Sequence, residues 1–191
     1  AYAQGDEVGV LSLADGLPWS LVKFPSYRTQ SSWAWVPGIS WSPDSRLLAF
    51  IMHEGDMEGL DAEDSPIFGL WVASLDGGLT VPLAEEVGMW SAPRWSPAPD
   101  GGLVYGQAQS PRNSQDSRYE LFLMDRDGSN KRLLFPPEGF MGLIGPDVVW
   151  SPWGDALLFE YEGDIYRLAT ADGQLVRLTS DGQSSLPRWA R

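Results

Sequence analysis

Cysteine is absent from this sequence, and histidine occurs once, at His53. Without a thiol there is no disulfide, no thiolate nucleophile and no Cys-ligated metal, and the redox compartment cannot be read. One imidazole leaves no basis for a His-centred triad or a multi-histidine zinc cluster. Cations are scarce as well: 13 Lys and Arg stand against 26 Asp and Glu, a net charge of -13. Such a surface repels a phosphate backbone or an anionic headgroup layer, so nucleic acid is not an expected partner. No apolar run approaches the roughly 20 residues of a membrane-crossing helix, so direct membrane insertion is not expected. Enzyme signatures are missing too: no Gly-x-Ser-x-Gly elbow, no His-Glu-x-x-His, no phosphate loop with its Lys, and no Gly-x-Gly-x-x-Gly opening a helix. Carboxylates are plentiful enough to supply a glycosidase pair, but sequence does not show which of them face each other.

What the chain does contain is a repeat. Ile39-Ser40-Trp41-Ser42-Pro43-Asp44-Ser45-Arg46-Leu47-Leu48-Ala49-Phe50 returns as Pro93-Arg94-Trp95-Ser96-Pro97 running on to Leu103-Val104-Tyr105. It returns again as Val148-Val149-Trp150-Ser151-Pro152-Trp153-Gly154-Asp155-Ala156-Leu157-Leu158-Phe159, and its opening recurs at Leu186-Pro187-Arg188-Trp189. Ser-Pro-Asp is turn chemistry: Ser or Asp suits the first position and Pro presets φ at the second. The near-continuous apolar run that follows suits a strand covered on both faces. Four Asp-Gly pairs, Asp15-Gly16, Asp76-Gly77, Asp127-Gly128 and Asp172-Gly173, alternate with the Trp turns and read as hairpins.

The alternation defines a unit of a Trp strand, a buried strand, a loop, and two strands joined through Asp-Gly, which is the make-up of a propeller blade. The Trp41 to Trp95 and Trp95 to Trp150 intervals nearly match and the Trp150 to Trp189 interval is shorter, which places insertions in loops. The expected fold is all-β: one β-propeller domain over residues 1–191, with about four blades of four antiparallel strands. The last blade is expected to be closed by both termini, since Ala1 to Phe24 looks like the later strands of a blade and Leu186 to Trp189 like its first. The rival is an excerpt of a larger propeller.

On these motifs the sequence resembles the TolB-type propeller repeats, whose units carry a Trp-Ser-Pro-Asp-Gly turn, an apolar strand and an Asp-Gly hairpin. The resemblance covers most of the chain. Ser45 stands where the turn Gly is usual, Ala98-Pro99 is an insertion, and Trp153-Gly154 replaces Asp-Gly. The resemblance implies an extracytoplasmic location (periplasm, cell surface or secreted), because TolB belongs to a periplasmic cell-envelope assembly.

Long segments interrupt the rhythm on what should be one face. His53 to Pro66 is acidic, with Glu54, Asp56, Glu58, Asp61, Glu63 and Asp64, while Gln107 to Arg118 is polar with Arg112. Links Pro25 to Pro37, Ala84 to Ala92 and Pro136 to Asp147 emerge beside them. The recurring Trp41, Trp95, Trp150 and Trp189 read as blade packing. The unrepeated Trp33, Trp35, Met89, Trp90, Arg112, Phe140 and Met141 are the candidate partner-binding residues, because aromatic, Met and Arg side chains anchor interfaces. The acidic loop carries enough oxygen ligands for Ca²⁺ but lacks the EF-hand spacing, so it reads as a solvated insertion with no buried face and no cofactor. His53, without a nucleophile motif beside it, reads as a strand-end histidine.

Two functions of different class follow. One is a non-catalytic protein-binding or scaffold propeller of the cell envelope or extracellular space, meeting a protein partner on the long-loop face. The other is a propeller that hydrolyses glycans or peptides, or the gating domain of a larger hydrolase. Oligomeric state is not legible.

Overall fold

The computed structural model describes residues 1–29, 32–55 and 59–190. Among them fifteen strands form four antiparallel sheets. The first is β1 (Tyr2–Ala3), β2 (Glu7–Leu11) and β3 (Pro18–Lys23). The second is β4 (Ile39–Trp41), β5 (Leu47–Glu54), β6 (Ile67–Ser74) and β7 (Thr80–Ala84). The third is β8 (Arg94–Trp95), β9 (Leu103–Ala108), β10 (Tyr119–Met124) and β11 (Arg132–Phe135), with a 3-10 turn at Pro111–Asn113 before β10. The fourth is β12 (Val148–Trp150), β13 (Ala156–Tyr161), β14 (Asp164–Ala169) and β15 (Leu175–Arg177). Within each sheet the strands neighbour in chain order, as in a propeller blade.

The repeat sets the register. Trp41 stands opposite Leu48, Trp95 opposite Leu103 and Trp150 opposite Leu157. The strand after each Trp turn is sandwiched between sheets, which is why it is apolar on both faces: Leu48, Ala49, Phe50, Ile51, Leu157 and Phe159 are wholly buried. Each such Leu, Ile or Phe contributes about 1.5–3 kcal/mol by leaving water. One apolar cluster runs from Val8 and Phe24 through the second sheet to Leu103 and Tyr105; another joins the third and fourth sheets around Phe135 and Phe159.

The turns follow the chemistry written in them. Ser42 Oγ donates to Asp44 at 2.6 Å and accepts from the Leu47 N–H at 2.9 Å. Ser151 repeats this with Asp155 and the Ala156 N–H. The glycines of the four Asp-Gly hairpins, Gly16, Gly77, Gly128 and Gly173, take positive φ, between 72° at Gly16 and 83° at Gly128, as these hairpins require. Ser45 holds the same conformation at φ 58° without being glycine. Sheets also meet across this turn face, where Arg126 pairs with Asp44 at 2.7 Å and lies over the Trp95 ring at 5.4 Å.

Closure is where the structure departs from expectation. Residues 186–190 form no strand, the first sheet has three strands, and the termini do not build a shared blade. Trp150 Nε1 donates to the Arg94 carbonyl at 2.9 Å, and Trp189 Nε1 donates in the same way to the Val149 carbonyl at 3.1 Å. These two inner segments each seat the Trp on the sheet before it, which places Trp189 against the fourth sheet. Val8 and Phe24 belong to the cluster with the second sheet, and no first-sheet residue joins the cluster of the third and fourth. Trp41, with no inner strand on its first-sheet side, is 36% exposed.

Candidate functional site

In an up-and-down sheet the loops between second and third strands emerge on the same side as the links between sheets. Residues 59–66, 109–118 and 162–163 therefore emerge with residues 25–29, 32–38, 85–93 and 136–147 on one face, opposite the Trp and Asp-Gly turns. Hydrogen bonds fasten them together. Tyr119, fully buried at the start of β10, donates its hydroxyl to the Ser114 carbonyl at 2.8 Å and accepts the Trp90 N–H at 3.1 Å. Burial pushes the Tyr119 phenol above its ordinary pKa. Its backbone exchanges two 2.7 Å bonds with Leu143, so one residue ties the links on both sides of its sheet.

The seven candidate residues divide. Trp35 and Met89 are core, 2% and 4% exposed, with the Trp35 indole donating to the Met89 carbonyl at 3.0 Å. Their positions in non-repeating links signalled a surface, but Trp35 turns inward onto His53 and Phe68 of the second sheet. Trp33 and Trp90 come together as a stacked pair, centroids 5.6 Å apart. Trp90 is 39% exposed and fixed by Nε1 donating to the Gln115 carbonyl at 3.0 Å. Arg112 is exposed in the adjacent 3-10 turn. Phe140 and Met141 form a second patch on link 136–147. Phe140 packs on Phe135, Tyr161 and Tyr166, Met141 N–H donates to the Tyr161 hydroxyl at 3.2 Å, and neighbouring Ile144 is 76% exposed. Below this patch a cavity of about 360 Å³ is lined by Arg118, Glu160, Tyr161 and Glu162, with Arg118 donating to the Gly142 carbonyl at 2.8 Å.

Sequence reasoning passed over Ile144, Tyr161 and Tyr119. The first lies in a Gly-rich link without periodicity. Tyr161 precedes Glu162-Gly163, whose positive φ values of 50° and 78° make a two-residue hairpin turn, a signal weaker on paper than Asn-Gly or Asp-Gly. Tyr119 could have been suspected only from its place at the first strand position after a long loop.

The acidic connection is less solvated than its composition suggests. His53, 1% exposed, has Nδ1 2.7 Å from the Ala62 carbonyl and is ringed by Phe24, Tyr27, Trp35 and Phe68. Burial drives its imidazole below the ordinary range, against the backbone bonds and the Glu63 charge that favour the proton. The Arg28 N–H donates to the Glu63 carbonyl at 2.8 Å, and the Arg28 guanidinium pairs with Asp64 at 3.0 Å. The expectation of no buried face is thus corrected for residues 62–66, which pack because a buried histidine needs a hydrogen-bond partner. Glu54 receives the Trp71 indole N–H, and burial raises its pKa. Asp56 and Glu58 lie outside the described residues. Among the described residues no group of three or more His, Asp or Glu side chains is placed to hold a metal.

Comparison with known proteins agrees on the fold. The chain superposes on TolB from Acinetobacter baumannii with a TM-score of 0.59 at 16% identity, over 91% of this chain and 37% of that one. An oligogalacturonate lyase determined with manganese gives 0.57 at 17% identity, over 92% and 48%. A TolB-designated protein from Agrobacterium tumefaciens gives 0.55 at 17% identity, over 91% and 56%. The chain spans between 37% and 56% of the length of these proteins. At such identities the likeness establishes a TolB-like propeller fold and carries no activity with it. No protein-family model and no curated sequence matches the chain.

Proposed function

We propose that this chain is a non-catalytic protein-binding or scaffold propeller that acts outside the cytoplasm and meets its protein partner on the loop face. The observation that carries the reading is the fixed, part-exposed Trp90, stacked on Trp33 and held through both its backbone and its indole N–H. An aromatic side chain already locked in place loses little entropy on binding, and such residues dominate interface energetics. Phe140, Met141 and Ile144 extend the apolar surface on the neighbouring link. The compartment rests on the resemblance to TolB-type repeats.

Capture of partners from a cell-envelope extract tests this with matched variants. Trp90→Ala and Phe140→Ala should reduce capture about tenfold or more, as expected for interface anchors, while Trp153→Ala on the turn face leaves it unchanged. Loss of capture confined to the turn-face variant would move the partner to the opposite side. Turnover of a glycan or peptide substrate that depends on loop-face carboxylates would replace binding with catalysis.

A further inference from the structure

A second feature lies away from the loop-face patches, on the inner edge of the array. The residues before the recurring Trp are Ser40, Arg94, Val149 and Arg188, the first three in the inner strands of successive sheets and Arg188 in the segment that follows the fourth sheet. The indole bonds from Trp150 to Arg94 and from Trp189 to Val149 show that these segments step past one another in regular order. Val149 therefore lies between two arginines, and its short side chain leaves a pit where a long one would close the row. Arg94, Val149, Trp150 and Arg188 line that space, a groove of about 470 Å³, within the range of small-molecule sites.

The charges in the groove favour an anion of one type. Arg94 pairs with Asp147 at 2.7 Å and donates to the Pro93 carbonyl at 3.1 Å. Arg188 is exposed and donates to the Pro187 carbonyl at 2.7 Å. A guanidinium has five N–H donors, and the bonds to Pro93, Asp147 and Pro187 use a minority of those on the two arginines, so among the described residues most can point at a ligand. Two cations against one carboxylate leave the groove locally positive in an acidic chain. That balance suits a monoanion and penalises a dianion, which the surrounding negative charge repels more strongly. Arginine forks match the planar carboxylate, and the Trp150 ring supplies an apolar wall for the body of the ligand.

We propose that this inner groove binds a small monocarboxylate carried on a ring-sized body, with Arg94 and Arg188 holding the carboxylate and Trp150 flanking the ring. The proposal is independent of the partner surface.

Titration with sodium benzoate at fixed ionic strength tests it, following the indole N–H resonances of Trp150 and Trp189, each assigned from its Phe variant. Saturable shifts in both are expected. Benzamide, the neutral isostere, should bind about tenfold more weakly or worse, because it forfeits charge-assisted hydrogen bonds. Arg188→Met should weaken benzoate about tenfold while leaving the melting temperature unchanged, since Arg188 is exposed and donates to its own neighbour's carbonyl. Val149→Phe, which fills the pit, should also block binding; if that variant does not fold, Arg188→Met decides. Absence of saturable shifts, equal binding of benzamide, or indifference to Arg188→Met overturns the site. Tighter binding of phenyl phosphate than of benzoate overturns the monocarboxylate class.

Discussion

The two faces of this molecule are built on opposite principles. On the turn face the connections repeat a common chemistry: Ser-to-Asp bonds at Ser42 and Ser151, Asp-Gly hairpins with positive φ, and exposed tips such as Trp153. On the loop face no two connections are alike. One brings Ala62 of the acidic segment against His53, one carries a 3-10 turn, and one is the two-residue Glu162-Gly163 turn. The loop face is nonetheless the better fastened, through Trp35, Tyr119 and His53, all buried. Repetition serves the scaffold, while the unrepeated side spends its buried aromatic and polar groups on holding individual surfaces in place.

Trp35→Ala tests that fastening most severely. Removing a buried indole bonded to the Met89 carbonyl and packed on His53 and Phe68 should cost about 3–5 kcal/mol, seen as a large fall in denaturant midpoint. A small loss would mean that Trp35 is only draped over the second sheet.

Acidification gives the next largest effect. Burial lowers the proton affinity of folded His53, so the unfolded chain takes the proton first below about pH 6.5. Stability is full above that pH and falls on acidification, by at most about 1.4 kcal/mol per pH unit for one proton. Glu54 has the opposite sign, since its raised pKa stabilises the protonated fold and that contribution is lost as pH rises through its titration. Melts of the parent and of His53→Gln at about pH 7.5 and about pH 5.5 separate the two, because only the parent should lose the His53 increment. Equal acid losses in both would remove His53 from the account.

On the turn face the effects shrink. Ser45→Gly should stabilise by about 0.5–1 kcal/mol, because serine at φ 58° bears a steric cost that glycine escapes. A destabilised variant would show that the Ser45 side chain contributes more than its backbone costs. Trp153→Ala, at a position 74% exposed, should stay within about 0.5 kcal/mol of the parent by thermal melt. A larger loss would mean the turn face is packed in solution and the contrast between the faces is overdrawn.

The order of strands within each sheet, the four Asp-Gly hairpins and the side on which the long connections emerge were all legible in the sequence. They depend on local turn chemistry and on the alternation of apolar runs, which act over a few residues. The candidate surface was legible only in outline. Trp33 and Trp35 share a link and differ by two positions, yet one stacks on Trp90 near the surface and the other is buried against His53 and Phe68. Nothing in their neighbourhood along the chain separates them. The expected closure by the termini failed for a related reason: Leu186 to Trp189 has the right residues for an inner strand, but a motif does not say which sheet it will meet. By itself the sequence determined the blade, because hydrogen bonding between successive strands is a short-range matter. Only the tertiary structure decided which links fold inward, where Trp189 seats its indole and whether the sheets close, because these depend on packing between sheets, where burial is non-directional and many pairings compete.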